Sequence, residues 1–115
     1  MQNLSQLLSQ LEKLLRQYEF ILEANRVAGV LQLLNLDKEK AYQLLLDDTW
    51  WVGQDAVAEV DLSIAGGFTA NARADQDKLQ TLVIELYQIM QAGGLENEHA
   101  QLVTSQYHKW LVSRM

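Results

Sequence analysis

Apolar residues open this chain at helical spacing. Leu4, Leu7, Leu8, Leu11, Leu14, Leu15, Tyr18, Ile21 and Leu22 recur at intervals of three and four. That rhythm places them on one stripe of a helix from about residue 3 to about residue 24. Gln, Glu, Lys and Arg take the other face, where Glu12 and Arg16 stand four apart as an ion pair. The stripe is wider than a strict a/d seam, so it reads as a face packed on a core rather than a short coiled coil.

Val27, Val30, Leu31 and Leu34 continue the spacing around Gly29. They predict a second helix starting near Arg26, after a kink in a longer first one. Asn35-Leu36-Asp37 reads as a turn, with Asp37 the N-cap of a helix through Leu46 that turns Ala41, Leu44 and Leu45 inward. Over residues 54–65, Ala56, Val57, Val60, Ile64 and Ala65 fit a helix. Strand alternation would set Glu59 and Asp61 beside Val57 on one face. Gly66-Gly67 ends that element.

Leu79, Leu82, Val83, Leu86, Ile89 and Met90 form a second strong stripe, with Tyr87 on its flank. Thr69 or Asn71 caps this helix and Gly93-Gly94 closes it. A last helix runs from about Asn97 to the C-terminus, with Ala100, Val103, Tyr107, Trp110 and Leu111 on one side. No repeat, linker or low-complexity tract interrupts the pattern. The expectation is one domain, residues 1–115, folded as an all-α bundle of five or six helices.

Composition strengthens that reading. There is no proline, and the six glycines punctuate long stretches instead of marking turns every 8–12 residues as all-β chains do. At 49% hydrophobic and 21% charged, the chain can bury a core. A domain this small is marginally stable alone, so a homodimer stays open. The absence of cysteine removes disulfides, thiolate nucleophiles and Cys-based zinc sites, and fits a reducing compartment. No basic leader and no long apolar run marks a signal peptide or membrane span, so a cytoplasmic protein is expected.

Charge narrows the partners. Fifteen acids against nine bases leave a formal charge of −6. Nucleic acid and anionic membranes are disfavoured, because affinity for phosphates comes mostly from Lys and Arg. A basic protein suits the surface better.

One stretch concentrates the unusual chemistry: DDTWWVGQDAVAEVDL, residues 47–62. Trp50 and Trp51 sit among Asp47, Asp48, Asp55, Glu59 and Asp61, and no Lys or Arg occurs from Leu44 to Asn71. Adjacent helical residues diverge by about 100°, so one tryptophan is expected in the core and the other exposed or covering a groove. An exposed aromatic with an acidic rim is a binding anchor. The candidate partner-binding set is therefore Asp48, Trp50, Trp51, Asp55 and Glu59. Against it stands simple packing, with both indoles filling space and the acids solvated.

Catalytic and metal readings find less. Asp55 and Glu59 share a helix face if their segment is helical, but need further ligands from elsewhere. A Glu-x-x-His pair occurs once, at Glu96 and His99, and His108 lies half a turn out of phase with His99. The adjacent glutamates of helical nucleotide pyrophosphatases are missing. No G-x-S-x-G serine is present, and IAGGFT lacks the Gly-Lys-Ser/Thr ending of a phosphate loop. No catalytic residue, metal or cofactor is expected, although a small metal-dependent enzyme remains an alternative. Arg73, Gln76, Tyr107, His108 and Lys109 could line a polar surface. The basic end SQYHKWLVSRM equally suits a helix C-terminus.

The segment LLLDDTWWVGQDAVAEVDLSIAGGFT, within residues 40–70, resembles a region of small bacterial all-helical proteins of uncharacterised function. Some of those look like immunity proteins, which neutralise toxins of bacterial competition. The shared pattern is leucine-rich helices, an Asp before an aromatic loop, and a Gly-Gly-apolar turn. Such families often continue that turn with Gly and Asn, where this chain has FTANARAD. The resemblance implies a cytoplasmic binding protein that blocks a partner through acidic residues 47–61, and carries over no individual residue role. The competing class is a homo-oligomeric helical adaptor or regulator without catalysis.

Overall fold

The computed structural model describes residues 3–53, 56–60, 62 and 70–113. Helix α1, Leu4–Gln17, begins at a capping box. The Asn3 side chain accepts from Gln6 N at 2.8 Å, and the Gln6 side chain accepts from Asn3 N at 3.1 Å. The helix buries Leu7, Leu8, Leu11, Leu14 and Leu15.

The expected continuation of α1 to about residue 24 does not occur. Phe20 N donates to Leu15 O at 2.9 Å, Glu19 N donates to Arg16 O at 3.1 Å, and Glu19 takes φ 65°. This is a Schellman closure with glutamate where glycine is usual. Helix α2 then starts at once, spanning Ile21–Leu36 rather than starting near Arg26. Reversal lets Ala24, Val27 and Val30 bury against the rest of the core. At about 25 cal/mol per Å² that burial outweighs a left-handed glutamate costing about 1–2 kcal/mol. Ile21 and Leu22 leave the first stripe as a result and are 48% and 63% exposed.

Asp37 serves as expected, ending α2 and capping α3, Lys38–Leu46, through Lys40 N at 3.3 Å. Ala41 and Leu45 are buried, but Leu44 is exposed, because α3 presents only the stripe through positions 41 and 45 to the core. One turn of helix, α4, follows at Asp48–Trp51.

The helix expected over residues 54–65 is corrected over residues 56–60, while Leu62 is helical. Val57–Glu59 is a single 3-10 turn, flanked by extended Ala56 and Val60. Val57, Ala58, Val60 and Leu62 are all buried, which no single helical stripe would allow. Side chains supply the hydrogen bonds a helix would have made. Tyr107 Oη donates to Ala58 O, and the Gln76 amide donates to Val60 O and accepts from Leu62 N. Asp55, Asp61, Ile64, Ala65, Gly66, Gly67 and the proposed cap Thr69 lie outside the described residues.

Helix α5, Ala70–Ala92, carries the second leucine stripe, and Asn71 lies within it rather than capping it. It closes with Leu95 N on Met90 O at 2.8 Å and Gly94 at φ 82°, the same device as at Glu19. Helix α6, Glu98–Ser113, is capped by Asn97, whose Oδ1 accepts from Ala100 N. Tyr87 and Tyr107 are buried, whereas Trp110, expected inward, is 44% exposed and leans on Tyr107 at 5.7 Å between ring centroids.

The result is an all-α bundle, with six helices and no strand among the described residues. α1 pairs with α2 as a hairpin and also packs on α5, which pairs with α6. Leu8, Leu11, Leu15, Leu82 and Leu86 lie in one buried cluster, as the stripes predict. Among the described residues, no helix is long and apolar enough to cross a membrane.

Candidate binding corner at α4

The tryptophan stretch forms a corner where α2, α3, α4 and α6 meet. Asp47 is shared between two helices. Its N–H closes α3 on Leu44 O, while its carboxylate caps α4, accepting from Thr49 N at 2.9 Å and Thr49 Oγ1 at 2.6 Å. Those two bonds hold the Asp47 carboxyl below the usual carboxylate range, with help from the Arg26 charge. Arg26, reaching from α2, donates to Thr49 O at 3.0 Å and to Thr49 Oγ1 at 3.1 Å. Its guanidinium lies 5.8 Å from the Trp50 ring centre.

Both tryptophans are buried, Trp50 at 1% and Trp51 at 0% exposure. The expectation that one would be exposed is corrected: both indoles fill space while Asp48 and Glu59 stay in water, as the simple-packing alternative has it. The two still diverge, but α4 is a single turn wedged between the 3-10 turn and α6, so both directions lead into protein. Trp51 Nε1 donates to Leu45 O at 2.7 Å, and its ring meets Tyr87 edge-on at 5.9 Å. Trp50 Nε1 is buried and finds no hydrogen-bond partner among the described residues.

Asn97 ties this corner to α6. Its Nδ2 donates to Leu46 O at 2.7 Å and to Asp48 Oδ1 at 3.1 Å, and Tyr87 Oη donates to Asn97 O at 3.3 Å. Asp48 Oδ2 stands 3.8 Å from His99 Nε2, with both side chains largely solvated. At that exposure the pair contributes little to stability. His99 thus faces Asp48.

Of the five sequence candidates, Asp48 and Glu59 are exposed, Trp50 and Trp51 are buried beneath them, and Asp55 lies outside the described residues. The structure adds Arg26, Thr49 and Asn97, which sequence reasoning missed as parts of this corner. Only the Asn97 cap position carried a local signal. Glu96 and Glu98, on either side of Asn97, are also exposed. Outward charge thus sits on a frame made rigid by buried aromatics.

The polar surface expected from Arg73, Gln76, Tyr107, His108 and Lys109 is not assembled. Gln76 and Tyr107 spend their polar atoms on the backbone near the 3-10 turn, while Arg73, His108 and Lys109 face solvent. Among the described residues, no three His, Cys, Asp or Glu side chains gather so as to hold a metal ion. Compared with known families, curated proteins and solved structures, the chain finds no significant match.

Proposed function

We propose that this chain is a small acidic binding protein of the cytoplasm that docks a basic protein partner at the α4 corner. An immunity-type inhibitor is the form of that role the sequence resemblance suggests. The observation that carries the reading is the exposed set Asp48, Glu96 and Glu98 around the Asn97 bridge, in a chain of formal charge −6. Solvated acids on a fixed frame speed encounter with a basic surface and set its orientation. Glu59 extends the same charge from the neighbouring 3-10 turn, which contacts α4. Trp50 and Trp51 act from below, by holding the frame, and are not contact residues.

Capture of the partner by the full chain from its native lysate, followed by association kinetics with the purified partner, tests this. A basic partner whose association slows at low salt when Asp48→Lys and Glu59→Lys are combined supports the reading. A partner indifferent to that double reversal, or one that is acidic, overturns it.

A further inference from the structure

The acids of the α4 corner share it with a histidine. His99 stands in the first turn of α6, and its Nε2 lies 3.8 Å from Oδ2 of Asp48, the residue that opens α4. The other Asp48 oxygen, Oδ1, accepts from Asn97 Nδ2 at 3.1 Å. That bond holds the carboxylate between the two helices with its second oxygen toward the imidazole. Both side chains meet water, His99 at 45% and Asp48 at 65% exposure. A basic group that approaches Asp48 therefore meets the imidazole as well.

Histidine is the side chain that ordinarily changes charge between pH 5 and 8, whereas carboxylic acids and phenols ordinarily titrate outside that range. Asp48 faces His99 from α4, and Glu96 and Glu98 flank it along its own segment. From α5 comes Tyr87, whose hydroxyl is spent on Asn97 O. α3 arrives with Leu46, whose carbonyl takes the Asn97 amide, while its charged residues Lys38, Glu39 and Lys40 stand at its other end. His99 is thus the group at this corner, among the described residues, whose charge changes near neutral pH. With the imidazole neutral, the corner presents the carboxylates of Asp48, Glu96 and Glu98 unopposed. With the imidazole protonated, a cation stands beside Asp48 and repels the basic group that the carboxylates attract.

We propose that His99 is a pH switch on the docking corner, favouring a basic partner when neutral and weakening its hold when protonated. The inference rests on the reading of that corner as a docking site. One unit charge about 6 Å from a partner's cation in water changes affinity about threefold, and salt screens the effect. His108 is built into the same helix but lies nine residues further on, about 13 Å along the axis and half a turn round it. It is the internal control.

Titration of the full chain with an oligolysine peptide at low salt, at about pH 7.5 and about pH 5.5, tests the proposal. The side-chain amide signal of Asn97 in nuclear magnetic resonance spectra reports occupation of the corner. The wild type is expected to bind about two- to threefold more weakly at the lower pH. His99→Gln is expected to lose most of that difference, and His108→Gln to keep it. Asp48→Asn is expected to weaken binding at both pH values. A peptide that leaves the Asn97 signal unmoved, or binds Asp48→Asn as tightly as the wild type, overturns the docking reading and the switch with it. A peptide that binds at the corner equally at both pH values overturns the switch alone. So does a pH difference that survives His99→Gln or disappears with His108→Gln.

Discussion

The indole N–H of Trp51 donates to the Leu45 carbonyl at 2.7 Å, whereas the neighbouring Trp50 N–H is equally buried and donates to no acceptor among the described residues. Two adjacent, fully buried indoles thus differ in one hydrogen bond. A buried donor without a partner costs about 1–3 kcal/mol, and a satisfied one stabilises by about 1 kcal/mol. Trp51→Phe is therefore expected to destabilise more than Trp50→Phe, by about 1–2 kcal/mol. Trp51→Ala, which also opens a cavity, is expected to cost roughly 3–5 kcal/mol. Urea unfolding of the three variants checks the order. Equal losses for the two Phe variants would show that the hydrogen bond carries no weight.

Asn97 performs three tasks at once. It accepts from Ala100 N as a cap, donates to Leu46 O and donates to Asp48 Oδ1. Asn97→Asp keeps the cap but turns the donor into an acceptor beside a carbonyl and a carboxylate. It is expected to cost about 1–3 kcal/mol, as much as Asn97→Ala or more, although aspartate caps as well as asparagine elsewhere. Denaturation midpoints of the two variants decide it.

Glu19 and Gly94 occupy equivalent positions in two closures of the same kind, at φ 65° and 82°. Only glycine adopts that region without steric cost. Glu19→Gly is expected to stabilise the protein by about 0.5–1 kcal/mol, and Gly94→Ala to destabilise it by about 1 kcal/mol. Opposite shifts in melting temperature are the readout.

The lowered Asp47 carboxyl makes a pH prediction. Its cause is the pair of hydrogen bonds from Thr49. A folded value below the unfolded one means that the stabilisation is complete above the unfolded carboxylate pKa. It is lost as pH falls through the lowered folded value. The wild type should lose this contribution only in that acid window, and Asp47→Ala should flatten the loss there. Thermal melts across the acid range, wild type against variant, test this; parallel curves would remove Asp47 from the account.

Period and spacing alone determined that this chain is helical. They also placed Leu8, Leu11, Leu15, Leu82 and Leu86 in the core and made Asp37 and Asn97 boundary residues. These outcomes depend on which side chains share a helix face and which backbone groups need caps, and both repeat at short range. The reversal at Glu19 was invisible, because a glutamate in the left-handed region is unfavourable by itself and is compensated by contacts made only after the chain turns back. The 3-10 turn at Val57–Glu59 was missed for the same reason: its carbonyls are satisfied by Tyr107 and Gln76, far along the chain. Burial of both Trp50 and Trp51 was decided the same way. A single helical turn has no inside of its own, and its surroundings are built by α3, the 3-10 turn and α6. Hydrogen bonds and burial that join distant segments have no period, so only the tertiary structure could place them.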